Sequence, residues 1–124
     1  MTKIYTIGEM LIDFIPNKIN CGLKDVDSFT KMAGGAPANV AVAASKLGSE
    51  AYYVGMVGKD AFGDFLIDTV KSYGVKNEYI YQTEQANTSL AFVSLMDNGQ
   101  REFSFYRNPG ADMLLEEKHV ETIN

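Results

Sequence analysis

The chain has 124 residues, 46% of them hydrophobic, and a formal net charge of −5. That length allows one modest core and no second domain, and an acidic balance without any basic stripe excludes a nucleic-acid electrostatic footprint. One cysteine, Cys21, and one histidine, His119, leave no internal disulfide, no metal-ligand cluster and no Cys–His nucleophile to draw.

The first residues pass straight into a strand-like run without a charged n-region, an apolar h-region and a cleavage site, and no apolar segment reaches membrane-spanning length. A soluble, cytoplasmic protein is the expectation. Apolar residues from Ile4 to Ile15 predict one strand that leads out of a core and stops at Pro16. Asp13 stands alone among apolar neighbours and by alternation shares a face with Leu11 and Ile15, so its carboxylate needs either water or a hydrogen-bonding partner. Residues 17–25 form a polar connection, and residues 26–32 a second short extended segment.

Residues 34–48, GGAPANVAVAASKLG, read as a loop feeding an Ala-rich helix closed by Gly48. Adjacent glycines permit close approach, Pro37 suits a first helical turn, and the helix entrance offers unpaired N–H groups to oxygen atoms. Spacing alone leaves two readings open: a polar-ligand site, or a tight turn before a buried helix.

Residues 51–57 (AYYVGMV) predict a buried strand. Phe62, Phe65, Leu66, Thr69, Val70 and Tyr73 at helical spacing, closed by Gly74, predict a helix over 61–73. Strand and helix alternating in this order predict a parallel sheet with helices packed on it. No Gly-x-Gly-x-x-Gly is present, and Gly58-Lys59 is followed by Asp60, so neither a Rossmann fingerprint nor a P-loop is supported. Asp60 and Asp64 lie around a helix start, where capping explains them.

Residues 79–81 predict a short strand. Residues 88–96 and 101–107 predict a hairpin around Asn98-Gly99. A two-residue turn there sets Phe92 opposite Phe105 and Leu90 opposite Arg107, with Phe92, Phe103, Phe105 and Arg107 on one face. That face is either a pocket wall ending in a cation or a core-packed hairpin with Arg107 at its wet end. The final stretch predicts a helix beginning near Glu116. A sheet built from so few strands would keep an open, apolar edge, so an N-terminal part of a longer protein is expected.

The stretch GGAPANVAVAASKLG, followed by VGMVGKDAFG over 54–63, resembles the N-terminal signature of the ribokinase-like (PfkB) carbohydrate kinases. Three further segments agree with the fructokinase branch: GEMLIDFIP over 8–16, TSLAFVSL over 88–95 and REFSFYRNPGADMLL over 101–115. The resemblance runs nearly end to end, in order and with similar spacing. It implies an α/β, ribokinase-like fold, with a parallel sheet flanked by helices and a small β lid from segments of about 12–32 and 88–107. Residues 1–124 would then be the N-terminal, sugar-holding part of a larger domain.

The implied activity is transfer of the γ-phosphoryl group of ATP to a sugar hydroxyl, most simply fructose to fructose 6-phosphate. Alternatives are a kinase for 2-keto-3-deoxygluconate, ribose or a nucleoside, or a non-catalytic chain that binds sugar or pairs with a subunit. By resemblance, Asp13 accepts hydrogen bonds from sugar hydroxyls, Gly34 and Gly35 let the loop approach the sugar, Asn39 supplies an amide, and Arg107 with Phe105 closes the site. The family's catalytic Asp lies in a Gly-Ala-Gly-Asp segment that nothing in this sequence matches, so no catalytic residue is assigned here. ATP and Mg²⁺ would be bound mainly by polypeptide outside these residues. The implied partners are a small-molecule sugar and a second copy meeting at the lid sheet, with neither nucleic acid nor membrane.

Overall fold

The computed structural model describes residues 2–121 and 123. Its elements run β1 (Lys3–Ile7), β2 (Leu11–Pro16), β3 (Phe29–Gly34), α1 (Ala36–Lys46), β4 (Glu50–Gly58), α2 (Ala61–Ser72), β5 (Lys76–Thr83), β6 (Ser89–Leu95) and β7 (Arg101–Tyr106). The strands divide between two sheets. One is three-stranded and all parallel in the order β1-β4-β5; the other is four-stranded in the order β3-β2-β6-β7.

The apolar run expected as one strand is two. The chain turns at Gly8, where φ is +142°, and β1 and β2 enter different sheets. Periodicity could not register the break, because both halves are apolar and Met10, Leu11 and Ile12 are all buried. Tyr53, fully buried in β4, donates its hydroxyl to the carbonyl oxygens of Gly8 and Glu9 and so fixes the turn.

The core lies between the parallel sheet and the two helices. Ala51, Tyr53 and Val57 on one face of β4 pack with Ala38, Ala41 and Ala44 of α1 and Leu66 and Val70 of α2. Alanines on α1 let its backbone approach the sheet, while the larger apolar side chains of α2 fill the space beside it. The alternate face of the sheet carries Tyr5 stacked on Tyr52, its registered neighbour, with Tyr79 inclined against both. Both helices end as expected. Gly48 and Gly74 take positive φ, and each follows a helix with the paired hydrogen bonds of a Schellman motif, Gly48 N–H to Ser45 and Ser49 N–H to Ala44 in the first case.

The two sheets are tied at Asp60. Its carboxylate caps α2 through the Gly63 N–H at 2.7 Å and accepts from the backbone and hydroxyl of Thr88, just before β6. The Thr88 hydroxyl in turn accepts from the Gly58 N–H at the end of β4. The VGKDAFG segment is therefore a joint between sheets. Burial alone would raise the Asp60 pKa, but the hydrogen bonds from Thr88 and Gly63 outweigh it and hold the carboxyl below its ordinary value.

Two further expectations need correction. In the β6–β7 hairpin, Leu95 pairs with Arg101, Phe92 with Ser104 and Ala91 with Phe105. Gly99 at positive φ closes a longer loop in which the Gly99 N–H bonds to Met96 and the Met96 N–H to Gln100, a turn plus bulge in place of a two-residue turn. That one-residue slip turns Phe92 to the face opposite Phe103 and Phe105. Phe92 instead stacks on Phe14 and meets Phe29 and Tyr106 edge-on. The second correction concerns the last stretch, which forms two short 3-10 turns, Ala111–Leu114 and Glu117–His119, and no α-helix among the described residues. Leu115 and Glu116 between them are extended, which interrupts the helical spacing. Thr122 and Asn124 lie outside the described residues.

Candidate functional site

The registers of the four-stranded sheet assemble the site. Asp13 in β2 lies opposite Met32 of β3 on one side and Ala91 of β6 on the other, and Ala91 lies opposite Phe105 of β7. Residues in register share a face, so Asp13 and Phe105 flank Ala91 across two strand spacings, roughly 9–10 Å. Only a methyl group stands between the carboxylate and the ring.

Gly34 and Gly35 form the floor beside Asp13. A Cβ on Gly34 would collide with the Asp13 carboxylate and lie 3.1 Å from a methyl of Leu11. Gly35, with φ at +103°, precedes the first turn of α1, and a Cβ there would lie 2.6 Å from the Glu9 carbonyl oxygen. Both glycines are thus required by close approach, and they bring the entrance of α1 beside the carboxylate. Burial first, and the charge of Glu9 second, push the Asp13 carboxyl above its ordinary value.

Arg107 follows β7 and reaches across to the turn after Pro109. Its guanidinium makes a forked contact with Asp112, Nη2 to Oδ2 at 2.6 Å and Nε to Oδ1 at 3.3 Å, and its Nη2 lies 3.7 Å from Glu9. The Asp112 side chain is fully buried and also accepts a hydrogen bond from the Ser89 hydroxyl. This ion pair, with the neighbouring charges, raises the Arg107 pKa further. Among the described residues no ion pair joins Arg107 to Asp13; Glu9 stands beside both.

Of the residues expected at the site, Asp13, Gly34 and Gly35 come together, Phe105 lies across Ala91, and Arg107 enters from the turn beyond β7. Asn39, in the first turn of α1, donates its backbone N–H to the Gly35 carbonyl and lines a groove with Met32, the register partner of Asp13, and with Val42, Lys46, Thr69 and Tyr73. Sequence reasoning missed Glu9, Ser89, Ala91 and the role of Asp112. Only Asp112 left a signal: Asn108-Pro109-Gly110 between it and Arg107 is a turn that folds a carboxylate back on a cation.

Among the described residues no three His, Cys, Asp or Glu side chains converge to hold a metal ion. Neither a Gly-x-Gly-x-x-Gly nor a Walker A spacing occurs in the sequence, and none of the described residues is assigned to ATP or Mg²⁺. No helix among the described residues is long and apolar enough to cross a membrane.

The profile of the pfkB family carbohydrate kinases matches residues 1–124. The chain belongs to that family. It is 53% identical over 117 residues to Fructokinase-2 of Oryza sativa subsp. japonica, covering 94% of this chain and 35% of that protein. It is 48% identical over 117 residues to Probable fructokinase-5 of Arabidopsis thaliana, covering 94% of this chain and 36% of that protein. The crystal structure of fructokinase with bound ATP from Xylella fastidiosa matches at 46% identity and a TM-score of 0.83, over 95% of this chain and 37% of that one. The pfkB chain described here spans about a third of the length of the curated relatives it matches.

Proposed function

We propose that these residues are the sugar-binding part of an ATP-dependent fructokinase, acting on the pattern fructose to fructose 6-phosphate. The observation that carries this reading is the placing of Asp13 over the Gly34–Gly35 floor, with Ala91 and Phe105 completing one face. Support comes from the identity of about half to proteins named fructokinase. An ionised carboxylate is acceptor-only, so hydroxyls donate to it and a neutral polyol suits it better than an anion. Gly34 and Gly35 let the sugar approach the backbone, and Phe105 offers an apolar wall to the ring carbons. In this reading the four-stranded sheet is the lid over the sugar.

Phosphoryl transfer depends mainly on positioning and charge stabilisation, and the contribution of these residues is positioning. ATP with Mg²⁺ supplies the phosphoryl group when bound, and the groups that hold it belong to polypeptide outside these residues. A cytoplasmic location and a second copy meeting at the lid remain part of the proposal; Phe103, Phe105 and Tyr106 are exposed on the edge strand β7 and are apolar enough for such a contact.

The test is a panel of fructose, ribose, 2-keto-3-deoxygluconate and a nucleoside, each with ATP, on the full reading frame that contains residues 1–124. Highest kcat/KM with fructose supports the proposal. Preference for any other member, or no turnover with any of them, contradicts it.

A further inference from the structure

The charges around Arg107 carry an inference that rests on the reading above and concerns which sugars the site refuses. An arginine beside a sugar site would ordinarily attract a carboxylate or phosphate on the substrate, because its planar fork matches those groups. Here the fork is already occupied. Asp112, fully buried, takes both Nε and Nη2, and Ser89 donates to the same carboxylate and holds it in place. Glu9 adds a second negative charge at 3.7 Å from Nη2 and is also the charge felt by Asp13. The local count is one guanidinium against the carboxylates of Glu9, Asp13 and Asp112. An arriving anion meets net negative charge, and the Nε–Nη2 edge of the guanidinium is already taken by Asp112.

We propose that Asp112, with Glu9, determines specificity by neutralising Arg107, so that the site accepts a neutral sugar and rejects a sugar acid. Asp112 acts through Arg107 and is a positioning residue. The backbone at Gly110 lies against this pair: a Cβ there would collide with the Ser89 hydroxyl and lie 3.0 Å from Asp112 Oδ1. The turn that carries Asp112 is therefore packed tightly on β6, and the Ser89 hydroxyl holds the carboxylate toward Arg107.

The experiment compares kcat/KM for fructose and for 2-keto-3-deoxygluconate, with ATP, in the full reading frame as wild type, Asp112→Asn and Glu9→Gln. Each variant removes one negative charge and keeps the side-chain size. The ratio of sugar acid to fructose is expected to rise by about tenfold or more in each, since discrimination against charge is a difference of affinities. Loss of folded protein lowers both rates together and leaves that ratio where it was, so the ratio reads specificity and not stability. Glu9 is partly exposed, so Glu9→Gln keeps the test decisive where Asp112→Asn does not fold. A wild type active on fructose with a ratio that stays within about threefold in the folded variants overturns this inference alone. A wild type inactive on both sugars overturns the functional reading beneath it.

Discussion

The Asp13 carboxylate lies over Gly34 so closely that no side chain larger than hydrogen fits at that glycine. A strand residue and a loop residue are thereby locked into one surface, and the substitution Gly34→Ala tests the lock. The added methyl must displace the carboxylate or the Leu11 side chain. The expected outcome is a rise of about tenfold or more in KM for sugar, with KM for ATP changed far less, measured by steady-state kinetics on the full reading frame.

Gly35 and Gly99 both sit at positive φ, yet their substitutions should differ. At Gly99 nothing lies within 4 Å of an added Cβ, so Gly99→Ala meets only the backbone penalty of about 1 kcal/mol. At Gly35 the Cβ meets the Glu9 carbonyl as well, and Gly35→Ala should cost about 2–3 kcal/mol. Urea denaturation midpoints of the two variants check the order, and equal costs would contradict it.

Asp60 joins α2 to the start of β6, and Asp60→Ala removes a helix cap together with its bonds to Thr88. A loss of about 1–2 kcal/mol is expected from denaturant unfolding at neutral pH. The sign with pH follows from the depressed pKa. Ionised Asp60 stabilises the folded chain above its unfolded pKa near 3.8, and that contribution is lost as pH falls through the lower folded value. The gap between wild type and variant should therefore close in strong acid. A gap independent of pH would assign the effect to packing.

Asp13 has the opposite sign. Its pKa is raised by burial and then by Glu9, so the folded state is disfavoured once the group ionises, as pH rises through its unfolded value and beyond. Asp13→Asn should unfold at an equal or higher temperature than wild type at neutral pH, by differential scanning calorimetry. A clear drop in Tm would show that the carboxylate is there for stability.

Much of the architecture was legible in the residues. The Ala-rich α1, the buried β4, the amphipathic α2 and both glycine stops follow from local periodicity and capping, and those rules act within one element. What escaped depends on contacts between elements. The break at Gly8 is fixed by Tyr53, which is 45 residues away in sequence, and apolar pattern alone could not show it. The hairpin slipped by one because Asn-Gly suits both a two-residue turn and a turn with a bulge, and Phe92 consequently changed face. At the candidate site, Asp13 and the two glycines were singled out by the family resemblance of their segments, residue pattern alone leaving a wet-face carboxylate and a tight turn equally open. Ala91 was not singled out, since its importance is its smallness between Asp13 and Phe105, and Glu9 and Ser89 gained meaning only once Arg107 folded back on Asp112.

The central claim is that Asp13 receives the hydroxyls of a neutral sugar, and steady-state kinetics of Asp13→Asn in the full reading frame test it most directly. Loss of charge-assisted hydrogen bonds should lower kcat/KM for fructose by about 100-fold or more while the protein remains folded. Turnover within about threefold of wild type would contradict the account, since one such bond is worth more than that.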